Sequence, residues 1–167
     1  MTGGVALLSL GLKTFFKTQK KKSSISLDSY GKYLTESKAE VRKGMINGYV
    51  DYTVLLLCGK GSGYSGQVTM QVNLASKEDL FIDFEGKEIE SLTVNGQKVT
   101  TLHFNQYFLL LEAHWLNKGI NSIKIEFNNP YAIDGEGLHS FIDTDGEQYL
   151  YTHLEPAYAR RWIPCLD

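Results

Sequence analysis

A chain of 167 residues, 43% apolar and 22% charged, suits one globular domain with a buried core. Its net charge of −2 excludes a broad electrostatic pull toward nucleic acid or acidic membranes. Two cysteines, Cys58 and Cys165, are too few for a disulfide framework and lack Cys-x-x-Cys spacing, so both read as buried thiols.

Residues 1–33 read as a basic arm. MTGGVALLSLGLKTFFKTQKKKSS has no acidic residue, runs apolar from Val5 to Leu12 and then clusters lysines. A secretory signal carries its positive charge ahead of the apolar run, and here the order is reversed. The run is too short to span a bilayer, so no transmembrane segment is expected. The missing export signal and the few cysteines favour a cytoplasmic location. An acid-poor, amphipathic start is also a property of import peptides, which keeps a mitochondrial location as the alternative.

One helix is expected. Ser37-Lys38-Ala39-Glu40 has the spacing of a capping box, and Gly44 is a stop signal, which predicts a short helix over Ser37–Lys43. The period then changes to two. Residues 49–58 read as a strand that turns apolar on both faces near Leu55–Leu57, and Gly59–Gly63 is the turn that follows. In the next strand Tyr64, Val68, Met70, Val72 and Leu74 share one face, while Ser65, Gln67, Thr69, Gln71 and Asn73 share the other.

Further strands are predicted over Leu80–Phe84, Ile89–Val94, Lys98–Phe104, Tyr107–Leu111 and Ile123–Phe127. Asn95-Gly96 between two of them is a strong hairpin signal. From Asn128 to Glu147 periodicity fails and a long loop is expected, before a strand over Gln148–Thr152. Many short strands, together with 10 tyrosines and 8 phenylalanines, predict a mainly all-β fold: an antiparallel β-sandwich or saddle-like sheet with one short N-terminal helix.

The chemistry of the chain is sparse. His103, His114, His139 and His153 do not form H-E-x-x-H, so no metal ligands are assigned. No Gly-x-Ser-x-Gly elbow exists, and Gly59-Lys60-Gly61-Ser62-Gly63 lacks phosphate-loop spacing. Asp134, Glu136, Asp143, Asp145 and Glu147 lack a calcium-loop pattern and read as solvated turn residues. Tyr107, Trp115 and Tyr131 suggest a sugar platform less than they suggest a core. There remain Glu155, Arg160 and Arg161. Glu155 precedes Pro156, which pushes its backbone toward an extended conformation. Its carboxylate either receives an ammonium group or pairs with a neighbouring arginine, and residue chemistry leaves both open.

The closing stretch THLEPAYARRWIPCLD resembles a segment of gluzincin-type zinc aminopeptidases of the aminopeptidase N-like family. The family pattern runs roughly T-Q-F-E-P-x-x-A-R-x-x-F-P-C-F-D. Thr152, Glu155, Pro156, Ala159, Arg160, Pro164, Cys165 and Asp167 match it. GEGLHSFID, the Tyr149-Leu150-Tyr151 lead-in and the stretch from Leu34 to Arg42 are also similar to that family.

The resemblance implies that residues 34–167 are an aminopeptidase N-like N-terminal β domain, incomplete at its C-terminal end. It implies that Glu155 binds the free α-amino group of a peptide, with His153 as a second substrate contact where the family has glutamine. Arg160, Arg161, Cys165 and Asp167 become structural residues at the seam with a catalytic domain. G-x-M-E-N and H-E-x-x-H would lie beyond Asp167. The resemblance therefore implies no catalytic residue, no metal ligand and no cofactor in this chain, with zinc held by the catalytic domain. The chain alone is expected to be inactive. The partners implied are peptide N-termini, when the chain is joined to a catalytic domain, and that domain or another protein covering the C-terminal edge. The alternative is a stand-alone, catalytically inactive scaffold derived from the same domain.

Overall fold

The structure, a computed structural model, describes Leu27 and residues 31–166. The rest of the basic arm and Asp167 lie outside the described residues. Helix α1 spans Glu36–Met45. It starts one residue before Ser37, with Thr35 at the N-cap, and neither residue forms the expected capping box. It also runs through Gly44. Burial of Arg42 and Met45 outweighs the stop signal, because tertiary packing overrides local propensity.

The strands in chain order are β1 (Asp51–Cys58), β2 (Gly63–Leu74), β3 (Leu80–Asp83), β4 (Glu88–Val94), β5 (Gln97–Lys98), β6 (His103–Phe104), β7 (Phe108–Leu111), β8 (Gly119–Pro130), β9 (Gly137–Ile142) and β10 (Gln148–His153). They form a five-stranded sheet ordered β1-β2-β8-β4-β5, a three-stranded sheet ordered β3-β7-β6, and the β9–β10 pair. All these pairings are antiparallel.

The alternation in β2 decides the packing. Tyr64, Val68, Met70, Val72 and Leu74 are buried, as their spacing predicts. Ile123, Ile125 and Phe127 of β8 extend that face. They join Leu80, Ile82, Leu109 and Leu111 of the smaller sheet in one core, which identifies a mainly β fold built from packed sheets.

Three expectations need correction. Lys98–Phe104 is not one strand. Asn95-Gly96 does turn with φ of 51° and 80°, so the β4–β5 hairpin forms. Val99 then turns into the core, and His103–Phe104 pairs with β7 in the other sheet. Residues 128–147 are not one loop. β8 continues to Pro130, and β9 pairs with β10 across a turn closed by Asp143 and Glu147. The rings of Phe141 and Tyr149 stack 5.4 Å apart on that hairpin, a cross-strand contact with no single-strand periodicity to announce it. β1 is exposed along most of its length, because it lies at the sheet edge where no second layer of described residues covers it. For the same reason Cys58 is exposed, while Cys165 is buried.

Candidate functional site

β10 carries the chain through Thr152 and His153 into a tight turn. The Tyr158 amide donates to the Leu154 carbonyl at 2.9 Å, and a 3-10 turn follows at Ala159–Arg161. Glu155 lies at the tip of this turn, exposed, with a cis bond to Pro156. No hydrogen bond or ion pair among the described residues takes its carboxylate. His153 is exposed beside it, its ring 6.1 Å from that of Tyr158.

Both neighbouring arginines are committed elsewhere. Arg160 is buried and turns inward, donating to the Tyr107 carbonyl at 3.0 Å and lying 3.5 Å from Asp83. Its guanidinium also lies 4.9 Å from the centre of the Phe108 ring. Asp83 is paired from its other side by Arg42 of α1. Arg161 pairs with Asp134 at 2.7 Å and with Glu136, and Glu85 is 3.9 Å away. The hydrogen bond from Arg161 holds the Asp134 carboxyl below its ordinary range. Asp134 and Glu136 are thus ion-pair partners rather than free turn residues. Asp143, Asp145 and Glu147 stay on the exposed hairpin, where Glu147 meets Lys60 at 2.9 Å.

The end of the chain is tied down as well. Asp83 and Cys165 exchange backbone hydrogen bonds of 2.8 and 2.9 Å, and the Leu166 amide donates to the Tyr52 hydroxyl at 2.9 Å. Arg160, Arg161 and Cys165 therefore fasten the tail to β3 and to the segment around residue 134. Sequence reasoning missed Arg42, Asp83 and the Asp134–Glu136 pair as partners, since nothing local links positions so far apart.

A polar contact also anchors the tail to the main sheet. The Tyr64 hydroxyl donates to the Trp162 carbonyl at 2.5 Å, and Asn129 donates to the Arg161 carbonyl at 3.1 Å. Burial pushes the Tyr64 phenol up to about 12. The unfolded phenol ionises near 10.0, so the folded state keeps the proton longer. The Tyr64 contribution to stability should be flat below pH 10 and fall by about 2–3 kcal/mol between pH 10 and 12. Urea unfolding at a series of pH values checks this, and Tyr64→Phe should flatten much of the alkaline fall.

Two histidines share one acidic partner. Glu112 bridges His103 at 3.2 Å and His114 at 2.9 Å, so both imidazoles face one carboxylate. Among the described residues no group of three or more His, Cys, Asp or Glu side chains is placed to hold a metal ion. The described residues do not fit zinc. No helix among them is long and apolar enough to cross a membrane.

Comparison with known proteins adds the family. Residues 50–167 match the family described as the Peptidase M1 N-terminal domain. The chain is 31% identical over 105 residues to an aminopeptidase N from Streptomyces lividans, covering 61% of this chain and 12% of that protein. Its fold is similar to that of an M1 zinc metallopeptidase from Deinococcus radiodurans, with a TM-score of 0.54 and 18% identity over 74% of this chain and 30% of the other. Native yeast LTA4 hydrolase gives a TM-score of 0.54 and 21% identity over 70% of this chain and 21% of its own. At such identities the likeness speaks to the fold alone. The chain spans about an eighth of the length of the aminopeptidase N it matches.

Proposed function

The chain belongs to the Peptidase M1 N-terminal domain family, and from that premise we propose that Glu155 receives the free α-amino group of a peptide whose N-terminal residue is removed by a separate catalytic module. One observation carries this reading. Glu155 is an exposed carboxylate beside two arginines, both of which are bound to other acids. A carboxylate left in that state is suited to charge-assisted hydrogen bonds with an ammonium group. His153 and Tyr158 flank it and would bound the space for the first peptide residue. Arg160, Arg161 and Cys165 would serve the seam indirectly, by holding the turn that presents Glu155. The Deinococcus radiodurans enzyme has also been seen with a Tyr-ser-ala substrate, and that structure shares this fold with a TM-score of 0.53. A peptide guest in that neighbour is in keeping with the proposal. Any zinc, and the water it activates, belongs in this reading to the other module.

The test is steady-state hydrolysis of aminoacyl substrates by the enzyme that contains this domain. Glu155→Ala should weaken use of free N-termini by about 2–5 kcal/mol, the range for removing one partner of a charge pair that the catalytic module and the peptide together bury. Glu155→Gln should fall between the two, because it keeps an acceptor without the charge. Unchanged kinetics in both variants would defeat the assignment.

A second reading, an inactive scaffold, draws support from the apolar hairpin. Phe141, Ile142, Tyr149, Leu150 and Tyr151 are all exposed on β9 and β10. Under that reading, substitutions there abolish partner binding while Glu155→Ala changes nothing.

A further inference from the structure

Four Asx-Gly pairs occur in the sequence: Asn47-Gly48, Asn95-Gly96, Asp134-Gly135 and Asp145-Gly146. Glycine carries no Cβ, so its backbone nitrogen is uncrowded and its torsions are free. That nitrogen attacks the side-chain carbonyl of the preceding residue when that side chain is at liberty to swing toward it. In three of the pairs the side chain is held. Asn95 donates to Asn121 Oδ1 at 3.0 Å and accepts from the Ser122 amide at 3.0 Å. Asp134 accepts from Arg161 at 2.7 Å and from the Glu136 amide at 3.2 Å. Asp145 accepts from the Glu147 amide at 2.8 Å and from the Tyr149 hydroxyl at 3.3 Å. Asn47 differs. It is exposed, and no hydrogen bond to a described residue holds its side-chain amide. Its backbone N–H donates to the Asn73 carbonyl at 2.8 Å, directly after the Ile46–Leu74 bridge. Beyond that point the chain stands open. Gly48 and Tyr49 are exposed, Gly48 has a φ of 76°, and nothing lies within 4 Å of where a Cβ would sit on it.

We propose that Asn47-Gly48 is a modification site, at which the native chain deamidates while Asn95-Gly96 stays intact. The Gly48 nitrogen gives up its proton to solvent base and bonds to the Asn47 Cγ. The Cγ–Nδ2 bond then breaks and ammonia leaves, closing a succinimide ring. Water opens the ring at either carbonyl, yielding aspartate or isoaspartate at position 47. Water enters, ammonia departs, and nothing is oxidised or reduced. Either product carries a new negative charge. Isoaspartate also routes the backbone through the former side chain, which adds a methylene to the link between α1 and β1. The change falls on the C-terminal side of the Ile46 and Asn47 contacts that fasten α1 to β2, so those contacts survive it. Isoaspartate there also presents a free α-carboxylate, the group that carboxyl-methylating repair enzymes accept.

The test is incubation of the whole chain in warm, mildly alkaline heavy-oxygen water, folded and in urea, until the unfolded chain has reacted at Asn95. Peptide mapping by mass spectrometry locates the incorporated oxygen. Methyl transfer from S-adenosylmethionine by an isoaspartyl methyltransferase counts the isoaspartate. In the folded chain Asn47 should react many-fold faster than Asn95. In urea the two rates should converge, because both are then Asn-Gly pairs in open chain. Asn47→Gln should remove the acidic species from ion-exchange profiles, since the larger ring its side chain would form closes far more slowly. The position is exposed, so that variant should keep its thermal melting curve. Equal rates at the two asparagines in the folded chain overturn the inference. So does an Asn47 that stays intact there, or an acidic species undiminished in Asn47→Gln. The inference is independent of Glu155, and its failure would leave the peptide-binding reading standing.

Discussion

Asp83→Ala is expected to lower stability by about 3–5 kcal/mol, the range for breaking a buried ion pair by removing one partner. The carboxylate is 4% exposed and lies between Arg42 of α1 and Arg160 of the tail. Both guanidiniums are largely buried, at 10% and 5% side-chain exposure. Removing the acid leaves two positive charges close together and away from water, where attraction is replaced by repulsion and the desolvation cost persists. Asp83→Asn should recover little, because it keeps the shape and loses the charge. Replacing Arg42, Asp83 and Arg160 together by apolar residues of similar volume should restore much of the loss, since a buried triad is often no better than well-packed hydrocarbon. Urea denaturation midpoints for the single and triple variants measure this. A midpoint that does not move in Asp83→Ala would show that the triad contributes nothing.

Phe127→Ala should cost a comparable 3–5 kcal/mol, roughly the usual price of emptying a buried phenylalanine site. The ring is fully buried and lies edge-on to Phe84 at 5.0 Å and to Tyr64 at 6.1 Å. It also fills the space over Gly66, where an added Cβ would come within 2.6 Å of its Cζ. The cavity cannot collapse easily, because Phe127 sits in β8 between its ladder partners Gly66 of β2 and Ile89 of β4. The same contact predicts a coupling. Gly66→Ala alone should be destabilising through overpacking, while in a Phe127→Leu background it should be milder because a smaller side chain leaves room. Thermal melts of the two singles and the double decide it, and strict additivity would refute the close approach.

How far the sequence spoke depends on the range of the signal. β2 was legible because every second residue from Val68 to Leu74 is apolar, and the pleat turns that period directly into a face. The β4–β5 hairpin was legible because Asn95 and Gly96 tolerate positive φ. β9 was not legible. Gly137–Ile142 keeps exposed apolar side chains and gains its place from rungs such as Phe141 opposite Tyr149, and a pairing is a property of two segments. The ends of α1 were misread for a related reason, since Met45 is held by the core and not by a local cap. Within the candidate site, Glu155 stood out through its motif. That neither arginine would reach it was invisible, because the deciding acids, Asp83 and Asp134, lie far upstream.

The turn bearing Glu155 is clamped on both flanks, by the β10 ladder before it and by the burial of Arg160 and the Cys165 bridge after it. Most conformational entropy of that backbone is therefore surrendered when the chain folds, before any guest arrives. A cation docking there need only quiet one flexible side chain, an outlay of roughly 0.5–1.5 kcal/mol. Under the proposed role of Glu155, loosening the clamp while leaving the acid untouched should weaken capture by slackening its aim.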